Sequence, residues 1–199
     1  MTENEYQAAL QLGKSRSDCA PHYVNDLVAL VRQSNNIPGC IVECGSYRCG
    51  MSIAMAATAE YYKSYKRVYA CDTFGGLPYD DQQTFLGFAN TNFDEILEAT
   101  APFNICFIRG RHEDTIPTFP KQPISLIFLD SDFYSSHKVV LEYLWPMLSP
   151  NGSIIFHDWT FEGVQAAVKE FFTTERQAEC DYSGTTGDPA LMGWIHKKP

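Results

Sequence analysis

No stretch of the sequence reaches the roughly 18 consecutive apolar residues that a membrane-spanning helix needs, although hydrophobic residues make up 45% of the chain. The apolar material is instead scattered in short runs, as a packed soluble core requires. The opening residues, Met1 to Glu5, carry early acid and no apolar segment of the kind a secretory signal has, so a cytoplasmic protein is expected. Positive charge is scarce too: 15 Lys and Arg face 24 Asp and Glu, for a net charge of −9. Nucleic acid is thereby disfavoured as the main partner, because phosphate binding needs a basic patch. The longest basic cluster, Lys63 to Arg67, is interleaved with Ser and Tyr and reads as a solvated helix end. None of the seven cysteines forms a C-x-x-C pair. Cys40, Cys44 and Cys49 cluster without a zinc spacing or a following His, so they read as small buried residues in a reducing compartment. Two catalytic signatures are missing as well. A pyrophosphate-binding G-x-G-x-x-G is absent, which weighs against an NAD(P)-dependent oxidoreductase. A G-x-S-x-G nucleophile elbow is also absent, which weighs against a serine hydrolase.

What is present is an alternation of short apolar runs with longer amphipathic ones over 199 residues, the pattern of one α/β domain with a mostly parallel sheet. Apolar residues at helical spacing from Pro21 to Gln33 predict a helix, ended by the turn-forming run Asn35 to Gly39. Strands are expected at Cys40 to Cys44, Val68 to Asp72, Ile105 to Ile108, Ile124 to Leu129 and Ser153 to Phe156. Helices are expected at Met51 to Tyr62, Asn92 to Thr100, Ser135 to Leu148 and Phe161 to Phe172, with Pro150 to Gly152 closing the third of these. The tail, from about Ala178 to Lys197, reads as an antiparallel hairpin. A polar stretch from Thr73 to Asn92 is long for a connection inside a compact domain and suits a lid or binding segment.

In open α/β sheets ligands gather beyond the carboxyl ends of the strands, and the chemistry-bearing residues fall there. The first strand runs into Glu43-Cys44-Gly45-Ser46, an acid and a sharp glycine turn that suit a ligand with an ammonium group better than one with phosphates. An ordinary strand-turn-helix fits those residues equally well. Asp72 closes the second strand, where a carboxylate can accept hydrogen bonds from a ribose diol. Gly110-Arg111-His112 follows the third strand, where His112 suits either an adenine ring or a surface loop. The fourth strand ends in Asp130-Ser131-Asp132 and the fifth in His157-Asp158. Acids after strictly apolar strands are costly unless paired, hydrated or bound to metal. Together Asp130, Asp132, His157 and Asp158 suit either a divalent cation or a general base for a hydroxyl, unless the carboxylates merely cap nearby helices. His137 reads as structural or as a surface residue; Trp145 and Trp194 read as core.

Taken together, these segments resemble the macrocin O-methyltransferase family from about Gly39 to Lys197. The most specific pieces are Val42-Glu43-Cys44-Gly45, Asp72-Thr73-Phe74-Gly75-Gly76-Leu77-Pro78, the run from Gly110 to Pro117, Leu129 to Tyr134, Leu148 to Gly152 and Phe156-His157-Asp158-Trp159. The resemblance implies a Rossmann-like class I methyltransferase fold: a seven-stranded, mostly parallel sheet with a C-terminal antiparallel hairpin and helices on both faces. Residues 1–38 would form a helical segment packing on the core, and 39–199 the domain that binds S-adenosylmethionine. The implied cofactor residues are Glu43, Gly45, Ser46, Asp72, Thr73, Phe74, Gly110, Arg111, His112 and Asp130. Asp130 and Asp158 would hold Mg²⁺ or Mn²⁺, with His157 standing where the family usually has a further acid, so that it is either a ligand or a base. Asp132 is the implied base. The implied reaction is O-methylation of a small hydroxylated acceptor, with no membrane or nucleic-acid partner and with a homodimer left open. A metal-independent or non-catalytic binder of S-adenosylmethionine is the alternative.

Overall fold

The computed structural model describes residues 1–76, 91–186 and 192–199. Its strands are β1 (Cys40–Cys44), β2 (Val68–Asp72), β3 (Ile105–Arg109), β4 (Ile124–Leu129), β5 (Leu148–Phe156), β6 (Cys180–Thr186) and β7 (Met192–Lys197). They follow in the order β3-β2-β1-β4-β5-β7-β6 in one seven-stranded sheet. The pairs β2/β3, β1/β4 and β4/β5 are parallel, while β7 runs antiparallel to both β5 and β6. The expected tail hairpin is β6/β7. Every residue of β4 is buried, which is why that strand reads as an unbroken apolar run.

By compactness the chain divides into two units. The first comprises Met1–Asn36 and Ser46–Arg111. Its helices are α1 (Glu3–Arg16), α2 (Pro21–Gln33), α3 (Gly50–Tyr61) and α4 (Phe93–Thr100), beside β2 and β3. Helix α1 falls within the helical segment expected over residues 1–38, and its start is written in the chain. Thr2 accepts a bond from the Glu5 amide and the Glu5 side chain accepts one from the Thr2 amide, a capping box. Small residues let α1 approach α3 at backbone distance: a Cβ on Gly13 would lie 2.7 Å from the Gly50 carbonyl. Tyr6 stacks on Tyr61, with ring centroids 4.3 Å apart, and sits edge-on to Tyr62.

The second unit comprises Ile37–Gly45 and His112–Pro199. It holds β1, β4, β5, β6 and β7 with α5 (His112–Thr115), α6 (Tyr134–Leu144), α7 (Glu162–Phe171) and α8 (Thr174–Gln177). Helix α6 stops four residues before the expected Leu148, because Pro146 sits in a 3-10 turn, Trp145–Met147, that follows it. Strand β5 then begins at Leu148, five residues before the expected Ser153. The Pro150-Asn151-Gly152 run lies inside it as an irregularity, with Asn151 left-handed at φ 65°. Helices α6 and α7 are joined by the Lys138–Glu170 ion pair at 2.7 Å and by the Tyr134 hydroxyl donating to the same carboxylate. Both partners of that ion pair are well exposed, so it adds little to stability.

The Gly13→Ala substitution should destabilise the protein by about 2 kcal/mol, because the clash with backbone outweighs the gain of about 1 kcal/mol in helix propensity. A urea unfolding midpoint no lower than that of the unsubstituted protein would contradict the close packing of α1 on α3.

Candidate active site

The first unit carries the turn between β1 and α3 and the end of β2. Asp72, the last residue of β2, turns its carboxylate onto the turn. Oδ2 accepts the amides of Ser46 and Tyr47 at 2.7 and 2.8 Å, and Oδ1 accepts the amide of Phe74 at 2.7 Å. A carboxylate offers about four acceptor positions, so these three amides leave it room for a further donor. Its visible work is to brace a strained turn in which Tyr47 and Cys49 are both left-handed, at φ 48° and 61°. The Gly110 amide donates to the Asp72 carbonyl at 2.9 Å, drawing the end of β3 to the same place.

Other cofactor candidates on this unit divide between backbone and core. The Thr73 hydroxyl donates to the Gly76 carbonyl at 2.6 Å. Phe74 buries its ring with Phe93, Phe107, Ile96 and Cys49, so that side chain serves the core. Arg111 is exposed. Ser46 is 4% exposed, and its hydroxyl is buried without a hydrogen-bond partner among the described residues. Of the lid candidate, Thr73 to Asn92, residues 77–90 lie outside the described residues, Leu77 and Pro78 among them.

The second unit gathers the acids. The register sets Cys44 beside Leu129 and Leu129 beside Phe156. Beyond those ends the ladder continues by one bond each: the Asp130 amide donates to the Cys44 carbonyl at 2.8 Å, and the His157 amide to the Leu129 carbonyl at 2.9 Å. Gly45, at φ +92°, lies so close to β4 that a Cβ would stand 1.6 Å from the Asp130 carbonyl oxygen. Glu43, inside β1, is fully buried.

At the strand ends the His157 Nδ1 lies 3.0 Å from Asp130 Oδ1 and 3.0 Å from Asp158 Oδ2, all three side chains being at most 19% exposed. Asp132 joins them through a hydrogen bond to Asp158. Burial, then the negative charges of Asp130 and Asp158, push the Asp132 carboxyl up to about 8. Burial acts on Asp158 in the same upward direction, but the hydrogen bond and charge of His157 outweigh it and hold that carboxyl below its ordinary value. The two acids therefore part: Asp158 is held charged while Asp132 keeps a proton into the neutral range. Both sit on left-handed backbone, at φ 57° and 53°. Trp159 lies against Gly193, where a Cβ would meet the indole at 3.2 Å, and near Phe156.

The sequence reading left two histidines undecided. His112 opens α5 and is 8% exposed, so it is no surface residue. His137 is fully buried, and its Nδ1 lies 3.0 Å from the Phe133 carbonyl and 3.2 Å from the Ser131 hydroxyl. A carbonyl only accepts, so Nδ1 carries the proton. Nε2 is then a lone pair sealed from solvent, without a partner among the described residues. Burial pushes this imidazole down to about 4, with His112 adding to the effect while the Phe133 bond and Asp158 oppose it. The available sequence signal was a His in the first turn of a helix, four residues after a carbonyl at its N-cap.

Three comparisons bear on these arrangements. The family model described as Macrocin-O-methyltransferase (TylF) matches residues 11–181. Among curated proteins, the 8-demethyl-8-(2,3-dimethoxy-alpha-L-rhamnosyl)-tetracenomycin-C 4'-O-methyltransferase of Streptomyces olivaceus is 30% identical over 181 aligned positions, taking in 82% of this chain and 67% of that one. The mycinamicin III 3''-O-methyltransferase of Micromonospora griseorubida is 28% identical over 156 positions, 69% of this chain and 61% of that one. The chain thus spans about two thirds of the length of these relatives. Among solved structures, the O-methyltransferase NovP superposes with a TM-score of 0.80 at 20% identity, covering 92% of this chain and 83% of that one. The calicheamicin methyltransferase CalS11 does so at 0.73 and 19%, covering 98% and 93%. At these identities the two structures establish the fold.

The depressed His137 fixes a sign for acid stability. Above about pH 6.5 the imidazole is neutral in both folded and unfolded chains and costs nothing. As pH falls from there to about 4, the unfolded chain takes up a proton that the folded one refuses, so stability is lost. The loss should reach about 3 kcal/mol over that window. Urea unfolding from pH 7 to 4.5 should be steeper in pH for the unsubstituted protein than for His137→Leu, and equal slopes would contradict it.

Proposed function

Because the chain belongs to the macrocin O-methyltransferase family, we propose that it moves a methyl group from S-adenosylmethionine to a hydroxyl of a small polar molecule of the sugar or natural-product kind, assisted by a divalent cation. The observation that carries this reading is the convergence of Asp130, Asp132 and Asp158 on His157 beyond β4 and β5. The relatives' names support it: one acts on a rhamnosyl-bearing tetracenomycin and another on mycinamicin III. No helix of the described residues is long and apolar enough to cross a membrane.

S-adenosylmethionine supplies a methyl group already activated by its sulfonium. What is left for the protein is to align the reactants and to remove a proton from the acceptor hydroxyl. On the first unit, the Asp72-braced turn, the orphaned Ser46 hydroxyl, Thr73, Phe74, Gly110 and Arg111 fit the donor role. On the second, Glu43, Gly45, His112 and Asp130 do. Asp132 is the base in this reading, because it stands at the exit of β4 beside Asp130 and is hydrogen-bonded to Asp158. Asp158 accepts the hydrogen bond of Asp132 and so orients it, and His157 holds Asp158 charged.

The donor set, two carboxylates with an imidazole at the same strand ends, suits a divalent cation of the hard or borderline kind. Asp130 and Asp158, with His157, would hold Mg²⁺ or Mn²⁺, which would stabilise negative charge on the acceptor oxygen. A second reading has its own observation. The His157 Nδ1 stands at 3.0 Å from both carboxylates, close enough for an imidazolium to pair with them, which suits a metal-independent enzyme.

Calorimetric titration with S-adenosylmethionine, with and without Mg²⁺ and Mn²⁺, tests donor and cation together, and TDP-rhamnose serves as the acceptor probe. Donor binding with activity lost in EDTA and restored by either ion is the expected result. Full activity in EDTA overturns the cation and favours the bridging imidazole. Binding of NADH in place of S-adenosylmethionine overturns the function itself. The Asp132→Asn variant should lose about 10²- to 10⁴-fold in kcat with donor affinity unchanged, and unchanged turnover would remove Asp132 from the mechanism.

A further inference from the structure

Asp132 sits on left-handed backbone, at φ 57°, between Ser131 and Phe133. Aspartate tolerates that conformation better than most residues, but a turn built on it stays in place only when its surroundings over-determine it. Two restraints do so. The Phe133 amide donates to the Ser131 carbonyl at 2.6 Å, closing the turn across Asp132. From beneath, the Nδ1–H of His137 reaches both flanking residues at once, the Phe133 carbonyl at 3.0 Å and the Ser131 hydroxyl at 3.2 Å. His137 is fully buried and its ring lies nearly parallel to Phe156 at 6.4 Å, so the imidazole is itself fixed by β5.

We infer that His137 is a positioning residue: one buried N–H clamps the residues on either side of Asp132 and thereby sets the direction of its carboxyl. The inference rests on the reading of Asp132 as the base. The His137 Nδ1 bonds go to the Phe133 carbonyl and the Ser131 hydroxyl, so it acts through the turn. This also accounts for a fully buried imidazole in the first turn of α6, where an apolar side chain would pack without leaving a lone pair sealed from solvent. The donor has to be a side chain at this place, and Asn is the residue whose amide nitrogen comes nearest to the position of Nδ1.

Displacement of a catalytic group by about 1 Å can cost about 10²-fold in rate. The His137→Leu variant keeps much of the volume and removes the donor, and His137→Asn keeps a donor. With TDP-rhamnose as acceptor, His137→Leu should lower kcat about 30- to 100-fold while KM for both substrates stays within about threefold, and His137→Asn should recover most of the loss. In an Asp132→Asn background the Leu change should cost less than about threefold, because the group it positions is gone. An acceptor-free measurement stands beside these: hydrogen exchange of the 130–134 amides should quicken in His137→Leu and return in His137→Asn. Equal losses in Leu and Asn, a change confined to KM, a full loss in the Asp132→Asn background, or unaltered exchange would each overturn the clamp. If Asp132→Asn alone keeps full turnover, the base assignment fails instead, whatever exchange shows.

Discussion

Two backbone hydrogen bonds decide where the chemistry of the second unit stands. Asp130 donates to Cys44, and His157 to Leu129, each one residue past the end of a buried parallel strand. A parallel ladder in register advances neighbouring strands together, so the first residues released from β4 and β5 emerge side by side. Apolar strands cannot hold these side chains and the solvent does not fully receive them, so they solve one another's desolvation. His157 spans two carboxylates, and the third acid keeps its proton. The closeness of β1 to β4 depends on the missing Cβ of Gly45, because any side chain there would occupy the Asp130 carbonyl.

The acids form a graded set and not three copies of one group. Asp158, hydrogen-bonded to His157, is the anion; Asp132, crowded by two negative neighbours, is the member that exchanges a proton. Environment alone sets two identical side chains apart in charge. His157, beside two of the acids, is consistent with either a cation or an imidazole pairing with them.

The strands were legible in the sequence because buried parallel strands leave continuous apolar runs, and Ile124 to Leu129 matched β4 residue for residue. The strand-end acids were legible for the same reason, as charges abruptly following such runs. Other features needed coordinates. Helix α1 has a weak apolar face, and only its capping box announces it. The early start of β5 was hidden by Pro150 and Gly152, which look like a turn but sit in an irregular strand. The bonds from the Asp72 carboxylate to the Ser46 and Tyr47 amides, which join a strand end to a turn far from it in sequence, also needed coordinates. His137 looked unremarkable because the groups it binds are a carbonyl and a hydroxyl, which no residue pattern specifies.

The bonds of Asp72 have a consequence for the order in which the chain can assemble. The turn opening α3 is closed locally by the Cys49 amide on the Ser46 carbonyl at 2.6 Å, but Ser46 and Tyr47 find the Asp72 carboxylate 26 and 25 residues further on. A nascent chain ending before Val68 lacks that acceptor entirely. The braced form of the turn is thus a late product of folding, completed by the strand that follows it. A lesion in β2 would undo it without touching any residue of the turn itself.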